Sequence, residues 1–482
     1  MSFPPSAERE PGAGAGGVRS ASAPALLCVS QSFTPETTPT GIRSGKLVER
    51  LAKQWDVTVV TETAQARSTD DVRVVVVRSR RPRRLLQTLH RLRLSKLLEL
   101  VVWPDESIFW VLPALLAARR LVRERPPSAI VVFMMPYSAG LVGLALRWLT
   151  GLPLLLNLDD SPTCTDMHPD FPSRLHYLLA RRLEDLYARA SDAIVYVSKR
   201  NLESVRARQP IEVRERFHLV RYGADERSFA PRAPTGDRFE IVYVGAMSGW
   251  WALIEGRAPT TSLKRLYEAW LRLGRHTLAE LDPRSASPAI LGRALLDALA
   301  RRPEWQRRVR LTVYDNSYPR AVIERALAAA GIESVVEVHD PVPHDQVARV
   351  LSGADLLFLT LPLRRDGSRG GRISAKTYEY LMTDRPILAA LPRGENWDYL
   401  AGKPGVWLSA PDDAEALRDA VLELASAKFA GQPRTFARER VHDEISYAAR
   451  AVEFDAAIRA GIEHVRSSGP GGLRRQVRRA AR

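Results

Sequence analysis

The sequence predicts an α/β protein built from two doubly wound parallel-sheet units in tandem, and three observations carry that expectation. Ala25–Ser30 is a short apolar run, followed by the loop QSFTPETTPTG, a helix with Leu47, Val48, Leu51 and Trp55 at helical spacing, and a second apolar run, Asp56–Thr61. Strand, glycine loop, helix and strand in that order form the βαβ unit of a doubly wound sheet, whose ligands sit beyond the strand C-termini. The same opening of strand and glycine recurs at Phe239–Gly245, FEIVYVG. A chain of 482 residues also exceeds a single core and fits two or three units.

Residues 1–23, rich in Pro, Gly, Ala and Ser and without an apolar h-region, read as a disordered tail rather than a signal peptide, so the protein is expected in the cytoplasm. Arg73–Val77 is a third strand, and Arg83–Val102 a helix with Leu85, Leu86, Leu89, Leu92 and Leu97 on one side and arginines elsewhere. Ala129–Leu146 carries no charge over 18 residues, the length of a membrane span. Its interior reads otherwise: Pro136-Tyr137-Ser138 breaks a strand from a helix over Ala139–Thr150 that contains Arg147. Strands at Leu154–Leu156 and Ser191–Ser198 close a first unit, 24–225, and Pro231, Pro234 and Gly236 mark a linker at 226–237. A second unit, 238–439, holds an insertion-like helical stretch at Leu271–Pro303 and strands at Val309–Tyr314, Val335–Val338 and Ala354–Leu361. A helix over 440–465 and a basic tail, 466–482, end the chain.

Charge and composition narrow the chemistry. Lys and Arg total 71 against 55 Asp and Glu, a formal +16 that favours anionic partners. Arg78, Arg80, Arg81, Arg83, Arg84, Arg91, Arg93 and Lys96 crowd one span, and the chain ends GGLRRQVRRAAR. This basic surface at 78–96 suits a membrane with anionic lipids, or is a solvated helix face. No aromatic-interleaved basic motif accompanies it, so no nucleic acid is expected. Cys28 and Cys164 alone give no disulfide framework, and neither an H-E-x-x-H spacing nor an Asp-x-Asp triplet occurs, so no metal is expected.

The most informative stretch is Gly370–Pro386, GGRISAKTYEYLMTDRP, which comes after the Ala354–Leu361 strand. Ser374 can cap a helix whose first N–H groups make an anion site. Lys376 lies in that first turn and Glu379 three residues on, on one face, where an ammonium meets phosphates and a carboxylate takes paired hydroxyls. A nucleotide sugar has both groups; the competing reading is a solvated pair. Asp160, after the Leu154 strand, either positions an acceptor hydroxyl or caps a turn. Gly41 either lets a substrate approach the backbone or serves a turn.

The run AKTYEYLMTDRPILA resembles the "Lys, two residues, Glu-Tyr-Leu, then a turn and Pro-Ile-Leu-Ala" segment of glycosyltransferase family 4, the retaining enzymes with the GT-B fold. Weaker likenesses run from about residue 25 to 465: Pro104-Asp105 with Trp110, the "Asp-x-x-Asp-Pro-Trp" motif degraded to Asn157-Leu158-Asp159-Asp160-Ser161-Pro162, and a hinge at Tyr222-Gly223-Ala224-Asp225. The resemblance implies two Rossmann-like domains facing a cleft, with the acceptor in the first and the nucleotide-sugar donor in the second, and a C-terminal helix that crosses back. It implies donor contacts from Lys376 and Glu379 and no cofactor or metal; Gly245, Arg257, Arg372 and Ser374 complete the expected donor side, with Gly41 and Asp160 on the acceptor side and Asp160, Lys376 and Glu379 as the expected catalytic residues. Two departures stand out. The glutamate that family members carry eight positions before Glu379 is Gly371, as in a branch with a Lys-led motif, and no Arg comes directly after Gly245, the nearest candidates being Arg257 and Lys264, of which Arg257 precedes the helix. The expected function is metal-independent sugar transfer to a hydroxyl acceptor with retention; the alternative is a catalytically silent GT-B protein that binds a nucleotide or a partner.

Overall fold

Apolar runs of three to six residues, bounded by turn signals, form two wholly parallel sheets in the computed structural model. It describes residues 23–36, 38–82, 87–89, 91–92, 94–164, 170–225, 229, 236–247, 249–251, 262–315 and 317–480. The first sheet contains β1 (Ala25–Ser30), β2 (Asp56–Thr61), β3 (Val72–Val76), β4 (Ala129–Met134), β5 (Leu154–Leu158), β6 (Ala193–Tyr196) and β7 (Phe217–Leu219), ordered β3-β2-β1-β4-β5-β6-β7. Every residue of β4 and β5 is buried, as expected of central parallel strands covered on both faces. The covering helices are α1 (Pro39–Leu51), α2 (Ser95–Val101), α3 (Ile108–Glu124), α4 (Ala139–Thr150), α5 (Arg174–Ala190) and α6 (Lys199–Ala207). Local chemistry sets their ends: the side chains of Thr38, Ser173 and Ser198 accept from first-turn N–H groups of α1, α5 and α6.

The second sheet contains β8 (Phe239–Val244), β9 (Val309–Tyr314), β10 (Val336–His339), β11 (Leu356–Thr360), β12 (Ile387–Ala390) and β13 (Val406–Ser409), ordered β10-β9-β8-β11-β12-β13. Around it run α7 (Ser262–Arg272), α8 (Pro288–Arg301), α9 (Arg320–Ala330), α10 (His344–Gly353), α11 (Ala375–Leu381), α12 (Glu395–Leu400) and α13 (Ala414–Phe429), followed by α14 (Glu439–Ile445) and α15 (Tyr447–Ala480). Each sheet reverses its winding beside its first strand, between β1 and β4 and between β8 and β11, and ligand crevices form at such points.

Three expectations change. The helix over Arg83–Val102 is interrupted: residues 87–89 and 91 are helical, and α2 starts only at Ser95. Lys96 is buried there because its ammonium donates to the carbonyls of Trp270 and Leu273, at the end of α7 in the other half. Leu271–Pro303 is not one helical stretch, since His276–Thr277 pairs antiparallel with Asp170–Phe171 of the first half before α8 begins. The helix over 440–465 is two helices. At the break, Ala224 N donates to Ile445 O at 3.0 Å and Tyr447 N to Ala224 O at 3.1 Å, so tertiary partners replace the helical ones. The second helix runs on through Ala480, across most of the stretch expected as a tail. Residues 1–22 and most of the linker, 226–228 and 230–235, lie outside the described residues.

Helix α15 packs on the first sheet although it comes after the second. Phe454 is fully buried and stacks on Phe133 of β4 with centroids 5.7 Å apart, and Trp55 Nε1 donates to Asp455 Oδ1 at 2.6 Å. Among the described residues no helix is long and apolar enough to cross a membrane. Truncating Phe454 removes the largest anchor of the crossing helix. Phe454→Ala is expected to lower unfolding stability by ~3–5 kcal/mol, read from a denaturant melt; an unchanged midpoint would show that α15 is not docked this way.

Candidate active site

At the end of β8 the chain turns at Gly245, where φ is +131°, a conformation that side-chain-bearing residues rarely adopt. The missing side chain has a second use. A Cβ placed there would stand 2.4 Å from Lys376 Cε and 2.6 Å from its Nζ, so the lysine lies directly across the bare backbone. Its ammonium is also 5.3 Å from the centroid of the Tyr243 ring, a cation–π contact that holds it at the crevice between β8 and β11. Helix α11 is fixed behind it by buried Tyr378 and Tyr380, and by Thr377 Oγ1, which donates to Asn396 Oδ1 at 2.9 Å. Lys376 and Glu379 are both half-buried on this helix. Glu379 is close enough to Tyr380 and Tyr447 for its charge, after burial, to raise both phenols above their ordinary range. Ser374 occupies the N-cap position, but its hydroxyl makes no capping hydrogen bond.

Across the crevice stand Asp159 and Asp160, at the end of β5 in the first half. Asp159 is spoken for: it accepts from Thr40 Oγ1 at 2.9 Å, Asn157 Nδ2 at 3.0 Å and the Tyr222 hydroxyl at 2.9 Å, and pairs with the fully buried Arg43 at 3.4 Å. Asp160 is the carboxylate left to the cleft. Burial, then the neighbouring charge of Asp159, push it up to about 6, against the pull of Arg372. Arg372, from the second half, is itself drawn below its ordinary range by burial, with Asp160 and then Tyr243 opposing. The two groups thus face each other between the halves, one a cation for an anionic ligand, the other an acceptor for a hydroxyl.

Other sequence candidates are placed differently. Gly41 lies within the first turn of α1, buried, and a Cβ there would meet Ser32 Oγ and Thr38 Oγ1 at 2.9 Å; its closeness is to the protein's own loop. Arg257 lies outside the described residues. After Gly245 the chain forms an apolar plug in place of a basic residue. Met247, Trp250 and Trp251 are buried, and Asp315 holds them by accepting from Met247 N and Trp251 Nε1, both at 2.7 Å. Asp105 is a brace, accepting from Ser107 N and from both the N–H and hydroxyl of Ser138. Among the described residues no group of three His, Cys, Asp or Glu is arranged to hold a metal ion.

The sequence reading missed a carboxylate that joins the halves. Glu395, buried at the start of α12, accepts from Ser198 Oγ at 2.7 Å, Lys199 N at 2.8 Å and Arg200 N at 2.9 Å at the N-terminus of α6, and pairs with Arg221 at 2.5 Å. An anion at a helix N-terminus meets unpaired N–H groups and the positive end of the dipole. The same contact accounts for Gly371. A Cβ there would lie 2.7 Å from Asn201 Oδ1 and 2.8 Å from Ser198 Oγ, so a glutamate would have to displace both side chains while the halves are joined. The Gly394-Glu395 pair after the β12 strand was the available signal, a carboxylate opening a helix.

Residues 40–223 match the family model of the Glycosyl transferase 4-like domain. The chain is similar in structure to sucrose-phosphate synthase from Thermosynechococcus elongatus, with 16% identity, a TM-score of 0.58 and coverage of 90% of this chain and 98% of that one. HepE of Anabaena in complex with UDP gives 12% identity and 0.56, covering 90% and 100%. The α,α-trehalose 6-phosphate synthase of Burkholderia multivorans gives 16% and 0.51, covering 95% and 98%. No curated protein matches the sequence. At these identities the structural likeness is one of fold: the chain has the GT-B arrangement of two Rossmann-like domains. Domain match and fold together support a GT-B glycosyltransferase.

The interdomain carboxylate gives a direct test. Glu395→Ala leaves Arg221 and two N–H groups without their partner, and breaking a buried pair in this way costs about 3–5 kcal/mol. The expected result is a lower denaturation midpoint together with a larger radius of gyration by X-ray scattering. If neither quantity moves, the clamp does not hold the two halves.

Proposed function

We propose that this protein transfers a sugar from a nucleotide-diphosphate sugar to a hydroxyl of an acceptor, with retention at the anomeric carbon and without a metal ion. The observation that carries the reading is the Lys376 ammonium lying on the bare backbone of Gly245 at the winding reversal of the second sheet. A diphosphate approaching that backbone meets Lys376 and Arg372, which balance the charge that grows on the leaving group. Glu379, one turn further along α11, takes paired ribose hydroxyls. Asp160 accepts a hydrogen bond from the acceptor hydroxyl on the opposite wall, and closure of the halves excludes water. HepE, one of the structural neighbours, is solved with UDP and with UDP-glucose, which supports this donor class. Retention rests on the resemblance of the Lys376–Glu379 segment to family 4.

The reading includes work in the cytoplasm, on an anionic membrane surface. Leu175 and Leu178 are exposed on α5 beside exposed Arg174, Arg181 and Arg182, and Arg78, Arg80 and Arg91 of the basic span are exposed as well. Such a mixture of apolar and cationic groups suits anionic lipid headgroups. Lys96 does not belong to that surface, being buried against α7; Arg83, Arg84 and Arg93 lie outside the described residues, as do the side chains of the last residues of the chain.

Lys376→Ala and Glu379→Ala are each expected to weaken nucleoside-diphosphate binding in calorimetry and to lower turnover by more than about tenfold while the melting transition stays put. Near-normal turnover in both would remove the site assignment, and nucleotide binding without transfer to any acceptor would make the protein a silent binder. Acceptor kcat/KM should fall as pH drops through about 6, where Asp160 takes up its proton, and Asp160→Asn should flatten that limb. The sign for stability is the reverse. An acid with a raised folded pKa burdens the fold fully above about pH 6, and the burden fades as pH falls toward the unfolded value. Asp160→Asn should therefore gain on the order of 1 kcal/mol at pH 7, read by thermal melting.

A further inference from the structure

A cavity of 360 Å³ opens in the first half, lined in part by Pro162, two residues after Asp160, and lies within the range of about 300–1,000 Å³ typical of small-molecule sites. Its position is a result of topology. β4 and β5 are neighbours with Met134 opposite Leu158, so the loops that leave them, Pro136-Tyr137 and Asp160–Pro162, lie side by side, and Tyr137 and Pro162 both line the cavity. Burial and then the Asp160 carboxylate raise the Tyr137 phenol well above its ordinary value, which fits that adjacency.

The polar groups of the lining are already used by the protein. Asp105 is held by Ser107 and Ser138, Glu184 by Ser161, Thr163 and Arg208, and Glu99 by Arg275. His176 sits between Ser173 Oγ and Leu100 O, and Asp170 accepts from Thr277. The Tyr137 hydroxyl has no hydrogen-bond partner among the described residues, but its oxygen is closed off from the cavity, so the residue lines it with its ring. The remaining walls are apolar, among them Trp103, Met135, Phe171, Ala180 and Leu183. Walls of this kind give a guest little to hydrogen-bond with and much apolar surface to cover, which suits a hydrocarbon body whose only polar group lies at the end nearer Asp160.

From this juxtaposition we infer that the acceptor is an alcohol carried on a hydrocarbon chain, the chain seated in the cavity between Trp103, Phe171 and Leu183 and the oxygen directed past Tyr137 toward Asp160. This rests on the sugar-transfer reading for its role and on the cavity alone for its binding. One wall ties the guest to the second half. Phe171 belongs to the strand that pairs with His276–Thr277, and Tyr177 beside it contacts the His276 ring at 4.8 Å, so filling the cavity also supports the crossing between the halves.

The test titrates 1-octanol and 1-butanol separately into the full-length protein by calorimetry, with UDP binding measured alongside. Burying four more methylenes should make octanol bind at least tenfold tighter than butanol. Ala180→Trp, which fills the cavity, and Pro172→Trp, at the cavity lining on the loop side, should each erase that preference while UDP affinity stays within about twofold. Equal affinity for the two alcohols, or a preference that survives in both variants, overturns the inference. If Ala180→Trp loses its cooperative melt, Pro172→Trp decides alone. Loss of UDP binding in the unaltered protein strikes the sugar-transfer reading instead and leaves the chain-length comparison to judge the cavity.

Discussion

The geometry of the cleft depends on one buried carboxylate. Glu395 belongs to the second half, yet its oxygens are satisfied by Ser198, by two backbone N–H groups at the start of α6 and by Arg221, all from the first half. A charge taken out of water is tolerable only with such complete pairing, so the two halves are held in the one register that supplies it. That register sets Gly371 against Ser198 and Asn201, and brings Arg372 opposite Asp160. Residues far apart in sequence thereby become neighbours across a slot, as the Arg221–Glu395 separation of 174 positions shows.

A second set of constraints works at the hinge. Arg43 is fully buried, donates to the carbonyls of Val220 at 2.8 Å and Arg221 at 2.7 Å, and pairs with Asp159. It therefore fixes the end of the first unit to the same carboxylate pair whose other member faces the cleft. Ala224 bridges to the Ile445–Tyr447 break between α14 and α15, and Asp225 pairs with Lys46 at 2.5 Å and Arg50 at 3.3 Å on α1. Both crossings of the chain between halves pass this point. Asp159 holds the hinge in order while Asp160 is left half-buried and raised, and the division of labour between adjacent aspartates comes from which of them has hydrogen-bond donors within reach.

Much of this was legible in residue order. Strands with both faces buried have to be continuous apolar runs, and β1, β4, β5 and β11 were readable on that ground. Lys376 and Glu379 were readable because helical spacing alone puts them on one face. The interruption before Ser95 was not, and neither was the burial of Lys96, whose ammonium reaches carbonyls 174 and 177 residues away. Ser374 sits at the N-cap position but makes no capping hydrogen bond, since N-cap propensity describes an isolated helix end and this one is buried in the fold. The loop after Gly245 was read for a missing cation, whereas Trp250 and Trp251 show that it is anchored in the core.

By itself the sequence determined the two parallel sheets, their tandem order and the pair of side chains on α11, because these arise from local periodicity and the turn residues that bound it. Only the tertiary structure decided which aspartate of the pair at the end of β5 faces the cleft, which side chains position 371 presses against, and where a cavity opens beside Tyr137. Those outcomes turn on donors and walls contributed from distant parts of the chain, and a carboxylate's charge, like a cavity's shape, is set by everything that surrounds it in space.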